Sequence, residues 1–160
     1  MKNKFITILF SSIFFLNSLS LAYTEEFIFE VTDLEILENG KIYKGNNRGK
    51  IITDTKIELE SDNFIYLKEI NRLEANGKVE VFDIENEIIL NAEKIFYLKK
   101  KNIIYTLGET LIKISDKYII EGENLTLLRD NAILFSKKKA TITGKDLNTY
   151  NLDEFEYSIN

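Results

Sequence analysis

The sequence has no histidine, no cysteine, no proline and no tryptophan. Without histidine or cysteine, imidazole general bases, thiolate nucleophiles and zinc sites built on nitrogen or sulfur are excluded. No disulfide can form, so the fold rests on packing and backbone pairing. The lack of proline removes one of the residues that blunt an exposed strand edge. Positive charge is also scarce: 21 Lys and Arg stand against 26 Asp and Glu, a net charge of −5. An acidic chain without a basic stripe is a poor partner for nucleic acid. Long hydrophobic runs are missing as well; the longest, Phe5 to Leu16, is about a dozen residues, short of the ~20 that cross a bilayer as a helix.

What is present fits one globular domain behind an export signal: 160 residues, 44% hydrophobic and 29% charged. Lys2 and Lys4 precede the apolar run, and Ser20-Leu21-Ala22 offers a small-x-small cleavage site, so residues 1–22 read as a cleavable signal peptide. Cleavage there leaves residues 23–160 and, with two lysines gone, a charge of −7.

The remainder repeats about every thirty residues. Leu59-Glu-Ser-Asp-Asn-Phe-Ile-Tyr-Leu67 returns as Leu90-Asn-Ala-Glu-Lys-Ile-Phe-Tyr-Leu98 and as Ile120-Glu-Gly-Glu-Asn-Leu-Thr-Leu-Leu128. An earlier copy holds Phe29, Val31, Leu34 and Ile36, and a last one holds Tyr150, Leu152, Phe155 and Tyr157. Offsets of 30, 31, 30 and 30 residues keep the five copies in phase. Apolar residues two apart mark a strand, and the gap of three between Ser61 and Phe64 predicts a bulge in that arm. The second arm of each unit (Leu73, Ala75, Gly77, Val79, Val81; then Ile104, Thr106, Gly108, Thr110, Ile112) carries a glycine at mid-strand, which predicts a bend. In the third unit Leu134, Ser136, Ala140 and Ile142 hold these places, with Lys138 in place of the glycine. Turns are expected at 68–71, 85–87, 99–102, 115–117 and 129–131.

Long antiparallel arms bent halfway pass from one sheet to a second facing it. The expected fold is therefore all-β: a repetitive jelly roll, or two-sheet solenoid-like stack, of bent hairpins with one face of every arm inward. By this phase Leu59, Phe64, Tyr66, Leu73, Val79, Val81, Leu90, Ile95, Tyr97, Ile104, Ile112, Leu125, Leu127 and Ile142 line the interior. The first and last strands, marked by Phe29, Val31, Phe155 and Tyr157, are edges able to pair with another strand.

The stretch Leu59-Glu-Ser-Asp-Asn-Phe-Ile-Tyr-Leu-Lys-Glu-Ile-Asn-Arg-Leu-Glu-Ala-Asn-Gly-Lys-Val-Glu-Val-Phe-Asp83 resembles the repeated motif of the OstA-like family of lipopolysaccharide-transport proteins. That family includes the periplasmic carrier LptA and the N-terminal domain of the outer-membrane assembly protein LptD. The resemblance runs from about Phe27 to Tyr157 and implies a V-shaped β-jelly roll whose interior shelters lipid A acyl chains. It also implies docking, edge to edge, with other Lpt jelly rolls or with further copies, a periplasmic location, and association with the outer membrane through an LptD-type barrel. No barrel lies within these 160 residues, and the motif is unfinished at Asn160. A short LptA-like carrier and the N-terminal part of an LptD-like chain both remain open, and the unfinished motif leans towards the second.

A groove that repeats the same chemistry suits a sliding lipid, whereas catalysis needs one unique converging polar set. None is evident, so neither an enzyme, a cofactor nor a metal site is expected. Lys99–Lys101 and Lys137–Lys139 read as solvated turn tips or edge guards more readily than as phosphate contacts. Glu85 with Glu87, and Asp153, Glu154 and Glu156, read as solvent-face carboxylates, and Asn124-Leu-Thr126 as a chance glycosylation match. The competing reading is an exported structural or adhesive β-solenoid with a dry core.

Overall fold

The computed structural model describes residues 27–159; the expected signal peptide at 1–22 lies outside them. Fifteen strands follow in order: β1 (Phe27–Glu30), β2 (Asp33–Leu37), β3 (Ile42–Asn46), β4 (Gly49–Thr53), β5 (Ile57–Ser61), β6 (Asn63–Leu67), β7 (Arg72–Asp83), β8 (Ile88–Leu98), β9 (Ile103–Ile114), β10 (Tyr118–Glu123), β11 (Thr126–Leu128), β12 (Ile133–Ser136), β13 (Ala140–Gly144), β14 (Thr149–Leu152) and β15 (Phe155–Ser158). Among the described residues there is no α-helix, only single 3-10 turns at 38–40, 68–70, 99–101 and 129–131. The last three of these and the turns at 84–87 and 115–117 lie where the sequence places them, whereas the one at 38–40 falls outside the expected turns.

Every pairing is antiparallel, and the strands form one sheet folded across its middle. The first half runs β1-β4-β5-β7-β8-β9-β10-β13-β14, and the second runs β2-β3-β6-β7-β8-β9-β11-β12-β15. Only β7, β8 and β9, of 11 or 12 residues each, traverse both halves; elsewhere each arm breaks into two short strands at the fold.

The fold line is a repeated change of register. Opposite the single residue Glu93 of β8 stand two residues on each neighbour: Gly77 and Lys78 on β7, Gly108 and Glu109 on β9. The extra residue therefore belongs to the glycine arm, and not to the Ser61-to-Phe64 arm where the spacing placed a bulge. That arm turns the corner at Asp62, whose N–H donates to the Gly77 carbonyl at 2.9 Å. Gly77 (φ 78°) and Gly108 (φ 81°) take left-handed backbone that an L side chain resists.

Two rows of apolar side chains cross the inner faces. In the first half the row is Phe29, Ile51, Leu59, Val81, Leu90, Ile112, Ile120, Ile142 and Tyr150. All five repeat starts (Phe29, Leu59, Leu90, Ile120, Tyr150) stand in it, on alternate strands. In the second half the row is Ile36, Tyr43, Tyr66, Leu73, Tyr97, Ile104, Leu127, Leu134 and Tyr157. Closing the sheet brings these rows together, and their central members are buried to within a few per cent. At roughly 1.5–3 kcal/mol for each buried large apolar side chain, this interior is the main source of stability.

At Gly77 an added Cβ would also lie 2.8 Å from the Asp62 carboxylate and 2.9 Å from its Cβ, whereas at Gly108 it would meet nothing within 4 Å. Gly108→Ala is expected to cost about 1 kcal/mol from backbone strain alone, and Gly77→Ala about 2–3 kcal/mol. Urea unfolding of the two variants checks the order; equal losses would show that the Asp62 corner does not set the fold line.

Candidate functional site

The inner face is the candidate site, and the strand alternation puts each expected lining residue on it. Leu59, Val79, Val81, Leu90 and Ile112 come from the first half, and Phe64, Tyr66, Leu73, Ile95, Tyr97, Ile104, Leu125 and Leu127 from the second; all are buried. Ile142 is half-buried and packs against them. Small residues sit where the halves converge at the fold line: Ser61, Ala75 and Ala140 are buried, with Ala92 and Gly122 beside them.

The interior is apolar and tightly closed in its middle but open at both ends. On β2, which pairs only with β3 among the described strands, Leu34 and Ile36 continue the inner face and are 37% and 56% exposed. On β14, which pairs only with β13, Tyr150 and Leu152 do the same at 55% and 38%. The expected edge markers behave differently. Phe29 turns inward and stacks on Phe64 (5.2 Å) and Tyr43 (5.5 Å), Val31 is half-buried, Phe155 is buried, and Tyr157 packs edge-on against Tyr118 at 5.3 Å. Their strands are still terminal: among the described residues β1 pairs only with β4 and β15 only with β12. The exposed apolar ends, Leu34 with Ile36 and Tyr150 with Leu152, were visible as members of the repeat. Their exposure follows from having no opposing strand, which spacing alone does not reveal.

The third feature is polar and unanticipated. Far from the fold line, where the strand tips of the two halves meet, Asp83 occupies the inner row between Ile57 and Ile88 and is buried. Arg129, from the turn after β11 in the opposite half, is buried against it. Its Nε donates to Oδ2 at 2.7 Å and its Nη2 to Oδ1 at 2.9 Å, and Nη2 also donates to the Thr55 carbonyl at 3.0 Å. Glu85, expected to be a bystander on the solvent face, lies 3.4 Å from the same guanidinium. Arg129 Nη1 donates to Asn102 Oδ1 at 2.6 Å, and Tyr97 joins through Asn102 (3.2 Å) and Thr55 (2.9 Å). Burial by itself would lower the Arg129 pKa, but the hydrogen bonds and charge of Asp83 outweigh it and hold the group above its usual value. Lys99 is a correction too: only 9% of its side chain is exposed, and it pairs with Asp54 at 2.9 Å instead of being a solvated tip.

Elsewhere the polar chemistry is diffuse. A groove of about 1070 Å³ at the level of the fold line has a mixed lining, with Arg48, Asp62, Lys78 and Glu93 beside Val79 and Leu111. Among the described residues no set of three or more Asp or Glu is arranged to hold a metal, and no helix is long and apolar enough to cross a membrane.

No protein-family model matches the sequence, and no curated protein does either. Solved structures do match. The crystal structure of LptH, the LptA homologue and periplasmic component of the lipopolysaccharide transport device of Pseudomonas aeruginosa, superimposes with a TM-score of 0.54. The match covers 64% of this chain and 75% of LptH at 11% sequence identity. At that identity the likeness establishes the fold: an OstA-like, LptA-type β-jelly roll.

Burial raises the Tyr97 phenol above the ordinary tyrosine value, the Thr55 hydrogen bond and the Arg129 charge offsetting only part of the effect. A folded-state pKa above the unfolded one favours the protonated phenol in the fold. The resulting stabilisation is full below about pH 10 and is lost as pH rises through the raised value. Alkaline difference spectroscopy should therefore show a late-ionising tyrosine that Tyr97→Phe removes; an unchanged titration would mean that Tyr97 is open to water.

Proposed function

We propose that this chain, an OstA-type jelly roll, is a periplasmic lipopolysaccharide-binding module that shelters lipid A acyl chains on its inner face and passes them along it. The carrying observation is the pair of facing apolar rows, continuous from Ile36 and Phe29 at one end to Tyr157 and Tyr150 at the other, with Ile36 and Tyr150 exposed. Each methylene taken from water contributes about 0.8 kcal/mol, so an acyl chain of a dozen carbons gains on the order of 10 kcal/mol. Because that gain has no preferred direction, the lipid slides along the row. The likeness to LptH, a periplasmic transport component, supports the assignment. Export by the segment at 1–22 and delivery to an LptD-type barrel at the outer membrane complete the reading.

Terminal strands with unpaired backbone groups, beside the exposed Leu34, Ile36, Tyr150 and Leu152, suit end-to-end docking with another Lpt jelly roll or a second copy. The close packing of Leu59, Ile95 and Ile112 is the observation that favours the competing dry-core solenoid. Loading therefore requires the two halves to part.

A photo-crosslinking residue separates the two readings. Placed at Phe64, Tyr66, Val79 or Ile112 it is expected to form adducts with lipopolysaccharide, and at the outer positions Glu60 or Lys78 none; silence at all four inner sites would favour the dry core. Docking is checked independently. Tyr150→Glu with Leu152→Glu should abolish association between jelly rolls in light scattering while leaving circular dichroism unchanged, and persistent association would place the interface elsewhere.

A further inference from the structure

We propose that the Arg129–Asp83 pair is a releasable clasp across the mouth of the folded sheet, holding the apolar interior shut until a lipid is taken in. The inference rests on the lipid-carrier reading for the identity of its ligand, but the clasp is a property of this fold in its own right.

The mouth is the seam opposite the fold line, where the tips of the two halves meet. In the first half its inner row is Ile57, Asp83, Ile88 and Ile114, so one carboxylate stands where an aliphatic residue would pack. Both partners of the ion pair have side chains only 1% exposed. Their two-point geometry is the strong form of a charge-assisted hydrogen bond. The bonds span the seam: Asp83, Glu85 and the Thr55 carbonyl belong to the first half, Arg129 to the second. Two further bridges cross beside them, Asp54 to Lys99 at 2.9 Å and Thr55 to Tyr97 at 2.9 Å. On either side the seam is closed by aromatic pairs instead, Phe27 on Tyr66 at 4.3 Å and Tyr118 on Tyr157 at 5.3 Å.

A charged seam behaves differently from an apolar one. Burying an ion pair yields little net stabilisation, because the Coulombic gain is set against lost hydration, and separating the halves returns both ions to water. Opening at the mouth thus costs less than parting an all-apolar seam of the same area. At the fold line the register change and close-packed small residues hold the halves together. The sheet is built to hinge at the fold line and release at the mouth.

The chain has no cysteine, so single introduced thiols report opening without background. Ile88→Cys sits in the mouth row and Ala75→Cys near the fold line, both at buried positions. Adding Arg129→Met, which leaves the Asp83 carboxylate buried without its partner, is expected to accelerate maleimide labelling by about tenfold or more at position 88 and by less than about twofold at position 75. Equal acceleration at both would make the pair a general stabiliser and overturn the clasp. If Arg129→Met does not fold, a lock that spares the pair serves instead. Asp54→Cys and Lys99→Cys joined by a short, reducible bis-methanethiosulfonate should slow uptake of the fluorescent fatty acid cis-parinaric acid by about tenfold or more, with recovery on reduction. Uptake unaffected by the lock would overturn the proposal. A chain that takes up no cis-parinaric acid while labelling at position 88 still follows Arg129 refutes the lipid reading and upholds the clasp.

Discussion

The register change at the fold line governs the rest of the molecule. Each glycine arm places two residues opposite one on β8, and the surplus residue lets a long strand leave one half-sheet and join the other without losing its inward phase. Because Gly77 and Gly108 take the left-handed backbone there, Leu73 and Ala75 on one side of the bend and Val79 and Val81 on the other all face the same interior. Repeated down the chain, this device converts a thirty-residue sequence period into two facing rows of hydrocarbon.

Such an interior has one dominant energy term, the burial of hydrocarbon, and its polar groups gather at the mouth around Asp83 and Arg129. Its three boundaries differ in kind. The fold line is covalent and closely packed. The two ends are open, with apolar residues left uncovered on β2 and β14. The mouth carries charge, at Asp83, Arg129, Asp54 and Lys99. Under the proposed lipid-carrier function, each buried methylene would contribute about 0.8 kcal/mol towards separating a seam whose ions regain their hydration on opening.

Much of this was legible in the sequence because it is periodic. The phase of Phe29, Leu59, Leu90, Ile120 and Tyr150 located the inner row of the first half, and the turns and glycines located the strand tips and the bend. The bulge was assigned to the wrong arm, since a gap of three in one arm and a longer stretch in its partner leave the same trace until the strands are paired. Asp83 was readable as an exception, a carboxylate continuing the series Leu73, Ala75, Val79, Val81. Arg129 and Lys99 were not, because they lie in turns, where no periodicity shows whether a long side chain folds inward. Their burial depends on which tips the closed sheet brings together.

The most direct measurement of the central claim is the separation of the two halves with and without lipid. Spin labels at Lys113, on the outer surface of one half, and at Lys101, at a strand tip of the other, report that separation by pulsed electron–electron resonance. Facing sheets pack about 10 Å apart, and a layer of hydrocarbon between these halves should widen the distance by about 4–5 Å on addition of lipopolysaccharide. A distance unchanged at saturating lipid would contradict the account, because the interior would then be a core and not a passage.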